Sequence, residues 1–256
     1  MSKADDNRTP EQRAAAPRPQ AKRFYKTATV GPALGPGGAQ HVFAILLDGK
    51  PVRTPAKAVL ALPTRALAEA VAAEWAAQGV NIEPAAMPLT RLANSAIDGV
   101  AAGMAQVRAD IVTYAASDLL CYRATEPSDL VHRQAELWDP VLAWSREVLG
   151  AGFVVAEGLM PVAQSQASRA AVARALQGFD AFALAALHVM TTLTGSALLA
   201  LTHARGALTA EAAWAAAHVD EDWQIGRWGE DAEAAARRRR RWTEMHAASR
   251  MLGLLA

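Results

Sequence analysis

The sequence has a single cysteine, Cys121, so no disulfide can form within the chain, which indicates a reducing compartment. Aromatic residues are also scarce, at 6% of the 256 residues, although hydrophobic residues reach 52%. Alanine accounts for much of that difference, and alanine favours helix. Because the net charge is only +1, we expect no bulk electrostatic attraction to nucleic acid or to a membrane surface.

Signals for targeting and for membrane insertion are weak. Residues 1–22 lack the apolar core of a secretory signal, and their three acidic residues are unusual for a mitochondrial transit peptide. We predict a disordered tail on a cytoplasmic protein. Residues 181–204 contain no Asp, Glu, Lys or Arg and are long enough to span a bilayer. Their histidines, threonines and many alanines favour a buried core helix instead.

Strand signals are concentrated near the N-terminus. Alternating or β-prone residues predict strands at 23–29, 41–47, 51–54 and 57–62, with a loop at 31–38. Asp48 and Gly49 form a turn signal that joins two of these strands into a hairpin. A helix capped by Thr64 and closed by Gly79 follows.

After about residue 100 the pattern is helical. Helices are predicted at 166–177, 180–203, 209–224 and 230–252, and a short strand at 153–155. Another helix starts at Ser128, with a kink or break expected where Pro140 follows Asp139. We therefore predict an α+β protein: a disordered tail (1–22), a small α/β N-terminal domain built on a hairpin-based sheet (23–100), and an all-helical C-terminal domain (101–256).

The familiar motifs of catalysis and cofactor binding are missing from the sequence. The glycine cluster at residues 35–38 has neither the ending of a P-loop nor the spacing of a dinucleotide fingerprint. The six histidines do not have zinc-helix spacing, and Cys121 has no CxxC partner. A triad assembled in space stays open. We expect Cys121 to be a buried structural thiol, and we expect no metal, no cofactor and no enzymatic activity.

Five consecutive arginines, residues 237–241, form the most conspicuous charge run. One interpretation is a nucleic-acid-binding module that uses this basic C-terminal helix. The other is a solvated helix, because five consecutive residues spread around a whole helix and Glu233 lies four residues before Arg237. We favour the solvated helix and keep the nucleic-acid module as the alternative.

The segment 209–228 has aromatic residues on more than one side and acidic residues among them. If one helix runs through it, a single face holds Trp214, His218, Glu221, Ile225 and Trp228. Such a helix is either deeply buried or covered by a partner. In the first case Glu221 would pair with an arginine such as Arg205 or Arg227; in the second, the tryptophans would be interface hot spots.

Several longer stretches, in order from about residue 23 to residue 230, resemble one protein family. They are Arg23-Phe-Tyr-Lys-Thr27, Leu46-Leu-Asp-Gly-Lys-Pro-Val-Arg-Thr-Pro-Ala-Lys57, the segment from Leu62 to Trp75, Met87-Pro-Leu-Thr-Arg-Leu-Ala-Asn-Ser-Ala-Ile-Asp98, Asp118-Leu-Leu-Cys-Tyr-Arg123, Gln134 with Trp138-Asp-Pro140, and Gln224-Ile with Arg227-Trp-Gly229. The chain resembles the mitochondrial and alpha-proteobacterial chaperones that assemble the catalytic sector of F-type ATP synthase by binding its alpha subunit.

This resemblance implies a fold and a function. The fold is an α/β N-terminal domain followed by a helical domain. The function is to bind unassembled alpha subunit and prevent its aggregation until it pairs with beta, because an unpaired subunit exposes apolar surface. We expect a monomer with no nucleic-acid partner and no stable membrane insertion. It would act in the cytoplasm of bacteria, and its eukaryotic relatives in the mitochondrial matrix.

The resemblance also implies where the partner binds. It places a functional acid in the C-terminal helical region, where Glu221 and Asp222 lie beside Trp223 and Trp228. A second candidate is Trp75. Trp75 also continues a core stripe on its predicted helix, so its role is either in binding or only in folding.

Overall fold

The computed structural model describes residues 21–34, 41–158 and 162–256, and its N-terminal part is built on a small antiparallel sheet. The strands are β1 (Ala28–Leu34), β2 (His41–Leu47), β3 (Lys50–Pro51) and β4 (Ala61–Leu62). β1 pairs along the whole of β2, and both β3 and β4 pair with β2 as well. β2 is therefore the central strand, as expected for a sheet based on a hairpin.

The first strand differs from the prediction. It starts at Ala28 rather than residue 23, and it includes Gly31 to Leu34, for which the sequence pattern predicts a loop. Pro32 is tolerated there because β1 is an outer strand, where a missing N–H need not cost a ladder hydrogen bond. The predicted turn is confirmed: Asp48 has φ 47° and Gly49 φ 81°, as a type I′ turn requires. Residues 35–38 of the predicted loop lie outside the described residues.

Helices make up most of the rest of the described chain. They are α1 (Arg65–Ala76), α2 (Pro88–Ser95), α3 (Ala101–Ala116), α4 (Ser128–Leu149), α5 (Gln166–Ala175), α6 (Ala181–Thr194), α7 (Ala197–Ala204), α8 (Ala210–Ala217), α9 (Val219–Trp228) and α10 (Ala232–Leu255). Two short strands, β5 (Tyr122–Arg123) and β6 (Ala156–Glu157), pair in parallel. The predicted α+β class is confirmed, although β6 lies just after the predicted strand at 153–155.

Helix breaks fall where local chemistry interrupts the backbone. The predicted helix at 180–203 is two helices, because Gly195 takes φ 68° and the Ser196 side chain caps α7. The predicted helix at 209–224 is also two, joined at His218. Pro140, in contrast, lies inside the single helix α4. Its neighbour Trp138 is almost completely buried, so packing holds α4 through the proline.

The core is centred on α6 and α7. Leu184, Leu187, Met190 and Leu198 are completely buried, and α10 packs along α6. This burial explains why residues 181–204 lack charged side chains. It confirms that the segment lies in the core, although it forms two helices rather than one. Within the described ranges, no helix combines the length and apolar character that a bilayer crossing needs. The tail at 1–22 lies almost entirely outside the described residues, and the domain boundary near residue 100 stays a prediction.

Candidate partner-binding site

Four of the five residues predicted to bind a partner lie on α9. The helix starts after His218, which leaves helical geometry at φ −116° and ψ 19°. Its first turn holds three acids, Asp220, Glu221 and Asp222, which the positive end of the helix dipole stabilises. Gly229, with φ 87°, ends it. The short length of α9 follows from these two ends.

The break at His218 also changes which residues share a face. One shared face for Trp214, His218, Glu221, Ile225 and Trp228 requires an uninterrupted helix, and the break at His218 means that this condition is not met. The indole of Trp214 is buried beside the His218 ring, with ring centres 3.9 Å apart. Trp228 is 73% exposed. Trp214, near one end of the segment, is therefore in the core, whereas Trp228, at the other end, is on the surface.

One side of α9 is joined to α4 by hydrogen bonds. Gln134, which is buried, donates from Nε2 to Oδ1 of Asp220 at 2.7 Å. The Nε1 of Trp223 donates to Oδ2 of Asp129 at 2.8 Å, and a guanidinium nitrogen of Arg227 donates to the same oxygen at 2.8 Å. These bonds fix the position and rotation of α9.

The electrostatics of this joint centre on Asp129. The hydrogen bond from Trp223, and then that from Arg227, lower the pKa of Asp129 to about 2, because both stabilise the carboxylate. The Arg227 guanidinium also lies 4.7 Å from the centre of the Trp223 ring, in cation–π geometry. Trp223 is thus already engaged within the chain.

The opposite side of α9 is tied to α10 by one ion pair. Asp222 accepts from Arg238, whose side chain is only 20% exposed, and this hydrogen bond raises the pKa of Arg238. Further along, Arg241 donates to the carbonyl oxygen of Leu193 at 2.6 Å. Two of the five consecutive arginines therefore hold helices together. The prediction that the run is a solvated helix is wrong for these two, because they reach neighbouring elements rather than water.

Between α9 and α10 lies an open cleft of about 270 Å³. Its lining includes Glu221, Ile225 and Trp228 from α9, with Ala235 and Arg238 from α10. The exposed ring of Trp228 lies edge-on to Trp223, with ring centres 5.6 Å apart. An exposed indole beside carboxylates is a surface suited to a partner rather than to solvent.

Glu221 is not held by the arginines that a core role would require. Arg227 binds Asp129, and Arg205 donates to the carbonyl oxygen of Ala175. Within the described ranges, no ion pair to Glu221 is formed. The interpretation in which Glu221 pairs with Arg205 or Arg227 is therefore wrong.

A second cleft, of about 340 Å³, continues the first along α10. The two share Glu230, Ala235 and Arg238 among their lining residues. The lining of the second cleft also includes Trp214 and Trp242, whose rings meet edge-to-face with centres 5.3 Å apart. Together they form one groove, called the α9–α10 groove below.

Trp75 lies elsewhere, on α1. Its ring packs edge-on against Tyr25 at 5.8 Å between centres, and the Tyr25 hydroxyl donates to the Trp75 carbonyl oxygen at 2.7 Å. Its indole nitrogen is buried without a hydrogen-bond partner among the described residues. Trp75 lines a separate cleft of about 410 Å³ with the exposed Phe24. The structure therefore does not bring Trp75 together with the α9 residues.

Two residues of the site, Asp129 and Arg238, were missed by sequence reasoning. Asp129 lies 94 residues before Trp223, and no local pattern links the two positions. Arg238 was visible only as one member of the arginine run. The acids at the start of α9 are visible in the sequence and indicate that positively charged or hydrogen-bonding groups lie nearby. Only the packing of the helices shows that Arg238 is one of those groups.

The chemistry available to the described residues is limited. They contain no group of three or more His, Cys, Asp or Glu that could hold a metal ion. Cys121 is buried, as expected, and burial raises its pKa to about 12. Nearby Asp118 is completely buried, and burial raises its pKa to about 6 although Leu120 and Leu198 donate backbone N–H groups to it. Both side chains belong to the buried core.

Comparisons with known proteins identify the family. A family model described as ATP12 chaperone protein matches residues 22–146. The crystal structure of Atp12 from Paracoccus denitrificans is 42% identical, with a TM-score of 0.83 over 92% of this chain and 99% of that one. An aspartate-to-lysine mutant of Atp12 from P. denitrificans is 41% identical, with a TM-score of 0.84 over 92% and 98%. A proposed chaperone from Agrobacterium tumefaciens is 51% identical, with a TM-score of 0.86 over 92% and 86%. The chain belongs to the ATP12 chaperone family.

Proposed function

We propose that this chaperone acts in ATP synthase assembly by binding the unassembled alpha subunit of the catalytic sector. It holds the subunit until beta replaces it, and it does so without catalysing a reaction. Membership of the ATP12 chaperone family supports the assembly role. An alpha subunit without its neighbours exposes apolar surface, which aggregates unless it is covered.

The observation on which this proposal depends most is the exposed Trp228 beside the acidic start of α9. The Trp228 indole is 73% exposed, so covering it with a partner would remove apolar surface from water and favour binding. Its helix is held in place by α4 on one side and by Arg238 on the other. The groove is therefore preorganised, because α9 is already held in position, and preorganisation lowers the entropy cost of binding.

Among the candidate acids we assign contact with the client to Glu221. Asp222 is paired with Arg238, and breaking that pair would have a cost in stability. Glu221 lines the cleft and can meet a client without breaking an ion pair to any described residue. Trp223 positions the helix through Asp129 and offers only its remaining surface. Asp222 and Trp223 therefore support the site that Glu221 and Trp228 present.

Trp75 is proposed as a second contact on the N-terminal part of the molecule. Trp75 lines a cleft with the exposed Phe24, and an apolar side chain of the client could enter that cleft. Trp75→Phe keeps an aromatic ring beside Tyr25 but replaces the indole by a smaller ring, so it reduces the surface that lines the cleft. We expect this variant to fold normally and to bind alpha subunit more weakly, which thermal melting and a pull-down would measure together.

The nucleic-acid alternative is less well supported. Of the five arginines, Arg238 and Arg241 are engaged within the chain, so the remaining three do not form a continuous basic stripe on one face. A nucleic-acid-binding module would show tight and steeply salt-dependent binding. We expect no electrophoretic shift of DNA or RNA at moderate salt.

Co-purification tests the proposal. Tagged chain expressed in its native cell should capture free alpha subunit and should be absent from assembled ATP synthase, behaving as a cytoplasmic monomer when uncomplexed. Trp228→Ala is the matched variant, because it alters the exposed side chain while leaving the contacts of α9 to α4. The proposal fails if alpha subunit is not captured, or if the chain is found only on the mature enzyme.

A further inference from the structure

We propose that the α9–α10 groove holds a client segment in which an arginine or lysine side chain lies next to a large apolar side chain. This inference rests on the proposed function, and it adds the chemistry of the segment that is bound. It follows from the balance of charge in the groove and from the exposed Trp228 in its wall.

The charge balance in the first cleft is negative. Its lining includes three carboxylates, Glu221, Glu230 and Asp231, and one arginine, Arg238. Arg238 is already neutralised by its ion pair with Asp222. Glu221 and Glu230 also act on the same guanidinium, since both contribute to its raised pKa. An excess of negative charge therefore faces the cleft, and a cationic side chain from a partner would balance it.

The apolar part of the groove adjoins this charge. Trp228 and Ile225 form one wall, and the small side chains of Ala234 and Ala235 leave room opposite them. A guanidinium can stack on an indole while it binds a carboxylate, which neutral or acidic side chains cannot do. An apolar neighbour in the client would then cover the remaining surface of Trp228.

The second cleft adds further aromatic lining to the groove. Its lining includes Trp242, Trp214 and Glu211. Arg239 also lines this cleft, so the excess of acids is greatest in the first cleft. A segment that crosses both clefts would therefore place its cation in the first and a further apolar side chain in the second.

Peptides from the alpha subunit provide the test. Overlapping peptides of about 15 residues, long enough to cross a groove between two helices, would be arrayed and probed with the wild-type chain. The same array would be probed with a Glu221→Gln, Glu230→Gln double variant. Glu233→Gln is the matched control, because Glu233 is exposed on α10 and does not line the groove.

We expect the bound peptides to contain arginine or lysine adjacent to Leu, Ile, Phe or Trp. Replacing that arginine by citrulline, or that lysine by norleucine, should weaken binding by about tenfold or more. The double variant should lose a similar factor, and the control should stay within about twofold of wild type. Should the double variant melt early, Trp228→Ala tests the apolar half of the groove in its place.

Other results would overturn the inference and leave the proposed function intact. These are bound peptides without a cation, equal binding by the double variant, or an empty array, in each case with alpha subunit still captured by the wild-type chain. Self-association that the double variant abolishes would assign the groove to a second copy and also overturn it. If cationic peptides bind through Glu221 and Glu230 but alpha subunit is not captured, the inference stands and the proposed function fails.

Discussion

Two tryptophans of one helix, Trp223 and Trp228, are used in opposite ways. Trp223 donates its indole N–H to Asp129 and stacks under Arg227. Trp228, five residues later, is 73% exposed beside a groove with an excess of acids. The difference arises because α9 is bound along one side by α4, whereas the side toward α10 is held mainly by the Asp222–Arg238 pair. One side of a helix can therefore be anchored to the rest of the protein while another side stays exposed for a partner.

The largest expected effect is on client binding by Trp228→Ala. Exposed tryptophans at interface centres contribute about 2–4 kcal/mol, so affinity for alpha subunit should fall by at least about thirtyfold. The free energy of unfolding should change by less than about 0.5 kcal/mol, because the ring covers little of the core. Titration calorimetry and urea unfolding measure the two quantities. If Trp228→Ala lowered the free energy of unfolding but left binding unchanged, Trp228 rather than Trp223 would have the structural role.

Trp223→Ala should show the opposite pattern. It removes the hydrogen bond to Asp129, the contact with Arg227 and part of the packing of α9 on α4. We expect a loss of about 2 kcal/mol in the free energy of unfolding, measured in urea. Trp223→Phe is the control, since it keeps most of the packing and should lose about half as much. A variant as stable as wild type would show that Trp223 does not anchor α9.

Glu221→Lys sharpens the comparison between the two acids. It should reduce affinity for alpha subunit by about tenfold, because it reverses a charge in the groove. Melting should stay close to wild type, because no described residue forms an ion pair with Glu221. Glu233→Lys, an equal charge change outside the groove, should bind normally. A large loss of thermal stability in Glu221→Lys would instead give Glu221 a structural role.

The smallest expected effect is a pH dependence of stability centred on Asp129. Its pKa in the folded chain is about 2, below the ordinary value of 3.8, so its hydrogen bonds stabilise the folded state above about pH 4. That contribution is lost as the pH falls from about 4 through 2. Melting of wild type and Asp129→Asn, compared across this range, should show a stability difference that shrinks with acid. A constant difference would rule out this titration.

The sequence predicted the α+β class, the hairpin turn at Asp48 and the core character of residues 181–204, because these depend on local pattern. It did not predict the break at His218, which separates α8 from α9 without a glycine or proline. It also placed a kink or break at Pro140, where the structure has one helix. At Pro140 tertiary packing outweighed local propensity, because the buried Trp138 beside it holds the helix together.

For the site, the sequence by itself determined the chemical types of the candidate residues: acids at the start of α9 and tryptophans beside them. The residue types and their spacing can be read from the sequence, and the family resemblance indicates the same stretch, residues 220–228. Only the tertiary structure decided which of them are free. Asp222 and Trp223 are engaged by Arg238 and Asp129, which are distant in sequence and close in space, so Glu221 and Trp228 are left to face the groove.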